Sequence, residues 1–393
     1  MRASGQSLKL WWGGPSRWLF GLGAAAFIAA MPAAPASGAA AKWYAANNGL
    51  DTSPCTTSMP CRSITRALTM AAPGDTIEVG PGIYGDIDGS GTLGDFPGEE
   101  TSAGCMISIT SRVTILSKDG AGSTVLDGAA MAVVCITTAG ASGTVFGKLN
   151  KGFTIRNSAG TGPHDIGGTG LSLDGADGVK VEGNIAIGTQ SGMSMGFAVA
   201  GSTLTKGATF KSNIASDWET GFFVGPTEGL VLTGNLATRN AGGIGIMAAF
   251  ELQYPLTGGV VTKNSAIANL GPGFDIWDVS VPFTFSKNTA LGNDTGVYVK
   301  GPGAVTLSTN NLFGNGDRGA GANCGLYLDN RSGSAPLTVN GSGNFWGAAA
   351  GPGANPADLA GGVGCSSDAG GGITLTTTPV AAAKFPLYPP KMK

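Results

Sequence analysis

The chain has one histidine, His164, in 393 residues, and that scarcity removes several chemistries at once. A metal site built from clustered imidazoles is excluded, and a Ser-His triad would have to stand on His164 alone. No Cys-x-x-Cys occurs, so a zinc site of the usual spacing has no anchor. Charged residues make up only 12% of the chain, with no basic excess. Loss of residues 1–41 would take Arg2, Lys9 and Arg17 from the 23 Lys and Arg and nothing from the 25 Asp and Glu, moving the net charge from −2 to −5. Nucleic acid is therefore a poor partner. Long apolar runs are also missing. The longest, Leu19 to Met31, falls short of the ~20 residues a membrane span needs.

What stands in that first stretch is Arg2, Lys9 and Arg17, the apolar run, and then small residues ending Ala39-Ala40-Ala41. This order predicts a secretory signal peptide over 1–41, with an uncleaved anchor as the alternative. No membrane span is expected once it is removed, and a secreted or periplasmic location follows. The six cysteines, Cys55, Cys61, Cys105, Cys135, Cys324 and Cys365, are an even number in a chain expected to be exported, which favours disulfides. Of 15 connectivities, nearest-neighbour pairing is expected: 55 with 61, 105 with 135, 324 with 365.

Glycine is abundant, 68 residues, more than twice the roughly 7% of an average protein. Disorder is nonetheless not the expectation, because 42% of residues are apolar and they recur. An Asn ends a short alternating run at Asn184, Asn213, Asn235, Asn264, Asn288 and Asn310. Two positions later stand Ala186, Ala215, Ala237, Ala266, Ala290 and Leu312, and five later Asn240, Asn269, Asn293 and Asn315. Eight later come Gly192, Gly221, Gly243 and Gly296, with Gly273 and Gly319 displaced by one. The flanking residues alternate, as in Val179, Val181 and Leu230, Leu232, which is the period of strands.

Repeats of 22 to 29 residues made of strand and turn stack as coils of a β-solenoid. Asn at one offset would pass amide hydrogen bonds from coil to coil, and Gly at the eighth position would make a corner. No six-residue period and no Gly-Asp nonapeptides occur, against a left-handed hexapeptide helix and a calcium-loaded one. At the open end, Ile64, Ala67, Leu68 and Ala71 share one helical face before Pro73-Gly74, a predicted lid over the first coil. The organisation expected is signal peptide 1–41, cap segment 42–75, solenoid 76–346 and a Gly/Pro-rich tail or second cap 347–393.

The helix from Ser63 to Ala72, followed by Pro73-Gly74-Asp75-Thr76-Ile77-Glu78-Val79 and Pro81-Gly82-Ile83-Tyr84, resembles the opening of secreted right-handed parallel β-helix proteins of the pectate-lyase-like superfamily. Asn344-Phe345-Trp346-Gly347 with Gly351-Pro352-Gly353 is similar to a closing segment of others. The resemblance implies an all-β, right-handed parallel β-helix with a short N-terminal capping helix. It does not select an activity, since that fold carries lyases, hydrolases, epimerases and adhesins. The paired aspartates and Gly-His-Gly of polygalacturonase-like hydrolases are missing, and Ile276-Trp277-Asp278-Val279 does not reproduce the Trp-Ile-Asp-His of pectate lyases. Gly162-Pro163-His164-Asp165 approaches the Asp-Pro-His-Asp of alginate C5-epimerases, with Gly in place of the first acid.

The repeat register sorts side chains. On the strand after the Gly, one outward row reads Ser194, Phe223, Gly245, Asp275, Tyr298 and the next Gly196, Gly225, Met247, Trp277, Lys300, with Tyr327 and Asp329 extending them. Rings and carboxylates along one face suit a polysaccharide, whose sugar faces stack on rings while hydroxyls bond to acids. Phe223, Trp277, Tyr298 and Tyr327 are the expected contacts, with Glu251 and Tyr254 on an insert that would wall the groove. The competing reading is that outward rings merely favour strand conformation or pack under loops.

For β-elimination or epimerisation Lys300 or His164 would be the base, with Asp275 and Asp278 holding Ca²⁺ against a substrate carboxylate. An ordinary surface ion pair is the alternative for Lys300. For hydrolysis the paired acids would be Asp217 and Glu219, at a turn where sister coils carry Asn. The expected function is binding or processing of an extended polysaccharide. The alternatives are a non-catalytic structural or adhesive solenoid, and a polysaccharide lyase or uronate C5-epimerase. An enzyme is neither required nor excluded, and protein partners are not indicated.

Overall fold

Alternating residues with coil-to-coil repeats fold here into three parallel sheets. The computed structural model describes residues 39–100, 104–129, 131–156, 168–189, 194–241, 244–247, 257–277, 284–316, 323–331 and 335–387. Almost all of residues 1–41 lie outside this set, as do His164, Asp278, Glu251 and Tyr254. Residues 40–393 form one unit. Among the described residues its sheets hold 13, 11 and 9 strands, and every strand pair is parallel. Successive strands of the chain visit the sheets in turn, so each circuit lays one strand on each sheet, ~4.8 Å from the last. This is a parallel β-helix.

Its interior is a set of ladders. In the 11-stranded sheet buried Leu171, Phe197, Phe222, Phe274, Val297 and Leu326 share one register position of the coils. Phe197 and Phe222 stack with ring centroids 5.1 Å apart, and both are buried. In the nine-stranded sheet Ala186, Ala215, Ala237, Ala266, Ala290 and Leu312 repeat in the same way and are fully buried, as the offset of two from each Asn predicts. Each large apolar side chain so buried contributes about 1.5–3 kcal/mol.

Between the first two sheets of each circuit runs a buried amide ladder. The main-chain N–H of Asn184 donates to Asn213 Oδ1 at 3.0 Å, and the same bond repeats through Asn235, Asn264, Asn288 and Asn310 to Asn344. The side-chain Nδ2 groups of Asn213, Asn235 and Asn264 donate to the next Oδ1 and also back to a main-chain carbonyl. The left-handed conformation of the turn is taken by the residue before each Asn. Gly183, Ser212, Gly234, Lys263, Lys287, Thr309 and Gly343 all have φ between 54° and 75°. The Asn is there for its hydrogen bonds.

The recurrent Gly is not a corner either. Gly196, Gly273 and Gly296 lie inside strands without positive φ, and Gly is needed because the next coil's backbone is close. A Cβ on Gly196 would sit 2.7 Å from Gly221 O, and one on Gly273 would sit 2.8 Å from Gly296 O. In the copy after Asn184 it is Gly196, inside the strand Met195–Val199, that takes this position; Gly192, Gly243 and Gly319 lie outside the described residues. The outward rows shift accordingly, and Ala198 pairs with Phe223 where Ser194 was expected.

The N-terminal end is closed by the helix Ile64–Met70, two residues shorter at its C-terminus than the pattern suggests. Ser63 caps it, its Oγ accepting from Arg66 N–H, while the buried Glu100 carboxylate takes the N–H groups of Ile64 and Thr65. Ile64 and Ala67 seal the first coil. The cysteines pair as neighbours, Cys55 with Cys61, Cys105 with Cys135 and Cys324 with Cys365. Beyond Trp346, strands Ser366–Asp368 and Ile373–Thr376 add to the 11- and 13-stranded sheets.

Candidate functional site

The outward face of the 11-stranded sheet collects most of the residues singled out above. Strands Thr220–Val224, Ile244–Met247, Pro272–Trp277, Thr295–Lys300 and Cys324–Asn330 lie side by side. Their register puts Phe223, Gly245, Asp275, Tyr298 and Tyr327 in one row. Met247, Trp277, Lys300 and Asp329 form the next. Because alternate strand residues face opposite ways, these rows back onto the buried Phe274 and Ile276 ladders. The sheet thus fixes a platform several coils long.

Its side chains hold one another. Lys300 Nζ lies 3.8 Å from the centroid of the Trp277 ring, a cation–π contact, so no described carboxylate is its immediate seat. The Trp277 indole N–H donates to Asp275 Oδ1. Tyr298 and Tyr327 stack at 5.3 Å, and Tyr327 Oη is 2.8 Å from Ser367 Oγ. Tyr298 is only 7% exposed; although it stands on the outward row, it forms the bed of the platform, with half-buried Trp277 and Tyr327 in the coils on either side and half-buried Phe223 three coils away. Its hydroxyl donates to Asp329, which is 1% exposed.

Arg331, which sequence reasoning passed over, grips the same carboxylate with Nε at 3.0 Å and Nη2 at 2.6 Å. The signal was available: Tyr327, Asp329 and Arg331 are spaced by two and so share a face. Burial alone would raise the Asp329 pKa, but the Arg331 and Tyr298 donors outweigh it and hold the carboxyl down at about 2. A folded-state value below the unfolded one, ~3.9, stabilises above about pH 4 and is lost as pH falls through about 2. Arg331 is largely solvent-exposed, so the contribution is on the order of 1 kcal/mol. Urea unfolding of wild type and Asp329→Asn should show a stability gap near pH 6 that narrows towards pH 2; a gap independent of pH would contradict this assignment.

Asp217 and Glu219 are placed elsewhere. Asp217 has φ 64° and forms a two-pronged ion pair with Arg239, Nε at 2.9 Å and Nη2 at 2.6 Å, which holds its carboxyl below the usual range. The residue between them occupies the Asn ladder site: fully buried Trp218 donates its main-chain N–H to Asn240 Oδ1, and the second ladder then runs Asn240, Asn269, Asn293, Asn315 to buried Asp358. The carboxylates flank a core residue in a ladder.

Another group, not foreseen, is Asp86, Asp88 and Glu99, each with one carboxylate oxygen within 4.8 Å of the others. An oxygen-only donor set of that kind suits a hard cation such as Ca²⁺. The acids alternate before Gly89-Ser90-Gly91, and the loop's own amides satisfy them: Gly89 and Gly91 N–H donate to Asp86, Ile87 and Gly94 N–H to Glu99.

Residues 135–313 match the family described as a right handed beta helix region. No curated protein matches the chain. Among solved structures, a rhamnogalacturonan lyase is similar over 76% of this chain and 74% of its own, at 13% identity and TM-score 0.41. A pectate lyase is similar over 87% and 78%, at 15% and 0.36. The lacto-N-biosidase of Eubacterium ramulus is similar over 87% and 68%, at 9% and 0.45. At such identities the likeness is one of fold alone.

Proposed function

We propose that this right-handed parallel β-helix repeat protein is exported and binds an extended polysaccharide along the outward face of its 11-stranded sheet. The observation that carries the reading is the register: Trp277 with Asp275, Tyr298 with Lys300, and Tyr327 with Asp329 succeed one another in three consecutive coils, and Phe223 stands on the same row two coils before them. A linear glycan presents a ring face and a set of hydroxyls at every residue. A row of rings interleaved with acids and cations meets that demand repeatedly, whereas a compact ligand would use one coil. Three disulfides support an oxidising compartment, and no described helix is long and apolar enough to cross a membrane.

Trp277 is the residue to test, because it is half-buried and its ring is not core. Trp277→Ala should weaken glycan-array binding by about tenfold or more, the usual scale for a central aromatic contact, with an unchanged unfolding midpoint. Full retention of binding would leave the adhesive or structural solenoid as the better reading. Incubation of the same protein with alginate and pectin, with and without Ca²⁺, separates binding from lyase or epimerase activity through unsaturated ends or an altered uronate ratio.

A further inference from the structure

At the C-terminal end of the platform a buried carboxylate stands on an outward row, where an acid would ordinarily be solvated. Asp329 is 1% exposed, and its two oxygens accept from the Tyr298 hydroxyl, the main-chain N–H of Arg331, and Arg331 Nε and Nη2. The Arg331 side chain is 64% exposed, and no bond to its Nη1 is among these. A guanidinium has five N–H donors in a rigid fork; the carboxylate fixes one edge, and the remaining donors keep a set direction. One coil back, Lys300 is held over Trp277. Resting on the reading that this face binds glycan, we propose that Arg331 reads acceptor oxygens of the bound sugar and that Asp329 is its positioning residue. The sugar ring would lie on the Trp277 and Tyr327 side, and its hydroxyl or carboxylate oxygens would meet the guanidinium.

An ion pair that served stability alone would make Arg331 exchangeable for Lys at little loss. A bidentate clamp would not, because an ammonium cannot be gripped along an edge and aimed. The structure therefore distinguishes the two roles by the conservative variant.

The test uses the mature chain with two probes, hexagalacturonate and cellohexaose, and the ¹⁵Nε–Hε resonance of Arg331. Arg331→Ala should weaken the better-bound probe by about tenfold, Arg331→Lys should not restore it, and Asp329→Asn should cause a similar loss. The double variant should be no weaker than either single one, since both remove one device. Tyr298→Phe, which removes only the phenol bond, should change affinity by less than about threefold. In Asp329→Asn the slowly exchanging Arg331 Nε–Hε signal should be lost. Wild-type affinity in Asp329→Asn, losses that multiply in the double variant, or a protected Nε–Hε signal without Asp329 would each overturn the proposal. Should neither probe bind wild type, the glycan reading fails, while the Nε–Hε signal still decides whether Asp329 positions Arg331.

Discussion

Asn264→Ala should be among the most destabilising single changes in the chain, lowering the unfolding free energy by about 3–5 kcal/mol. Asn264 is 1% exposed, and its Oδ1 accepts both the main-chain and the side-chain N–H of Asn235. Its Nδ2 donates to Leu232 O and Asn288 Oδ1. Alanine leaves two N–H donors of Asn235 and the Leu232 carbonyl of the same coil buried and unmatched, each costing about 1–3 kcal/mol, and opens a void no water can reach without further loss. The effect should be local in sequence but axial in space: hydrogen exchange should accelerate at Asn235 and Asn288, the coils on either side. Ser286→Ala, on the outward face of the neighbouring strand, should fall within about 0.5 kcal/mol of wild type. Equal losses for the two would mean that the ladder is not what joins the coils.

Why the ladder was visible in the sequence while its mechanics were not follows from what periodicity encodes. Offsets of two and five from each Asn specify register, because stacked coils bring equal positions together; hence the Ala ladder and both Asn rows fall where the sequence places them. Periodicity does not say which residue of a turn takes the left-handed conformation. Lys263, Lys287 and Thr309 do so here with no Gly signature, since the following Asn makes the bonds that hold them there. Nor does it fix where the next strand begins: the strand Met195–Val199 puts Ala198 beside Phe223, so the outward row of that coil stands four positions later than Ser194.

The candidate site was legible to the same extent. Phe223, Asp275, Trp277, Tyr298, Lys300 and Tyr327 share a face because alternation fixes parity. Depth was not legible: Tyr298 is covered by the groups that stand over it, a matter of side-chain packing that parity leaves open. Arg331 lies just past the strand end, where the repeat stops and the pattern offers no alignment partner. The Asp86, Asp88 and Glu99 group comes from a loop before the first regular repeat, outside any ladder. The stacked coils and the platform are linked physically. Each outward residue is held to a spacing of ~4.8 Å by the strand beneath it, so a glycan meets a surface ordered before it arrives, and little side-chain freedom is lost on binding.

The glycines supply the sharpest test of how close the coils lie. In Gly296→Ala the added methyl would stand 2.4 Å from Gly325 O and 2.9 Å from Asn315 Nδ2, so it strikes both the backbone of the next coil and a member of the second amide ladder. Neither can withdraw: Gly325 is inside strand Cys324–Asn330, and Asn315 Nδ2 is bonded to Asp358 Oδ2 and Ala290 O. Overpacking of this kind costs about 3 kcal/mol, and the coils on either side would have to separate to relieve it. Gly353→Ala meets nothing within 4 Å and requires no positive φ, so it should leave stability within about 0.5 kcal/mol of wild type, on the stabilising side through a less flexible unfolded chain. Urea midpoints of the two variants decide the matter. If glycine were abundant here only to make the chain pliable, both substitutions would act alike; a large loss confined to Gly296 means that it is there to let one strand approach the next.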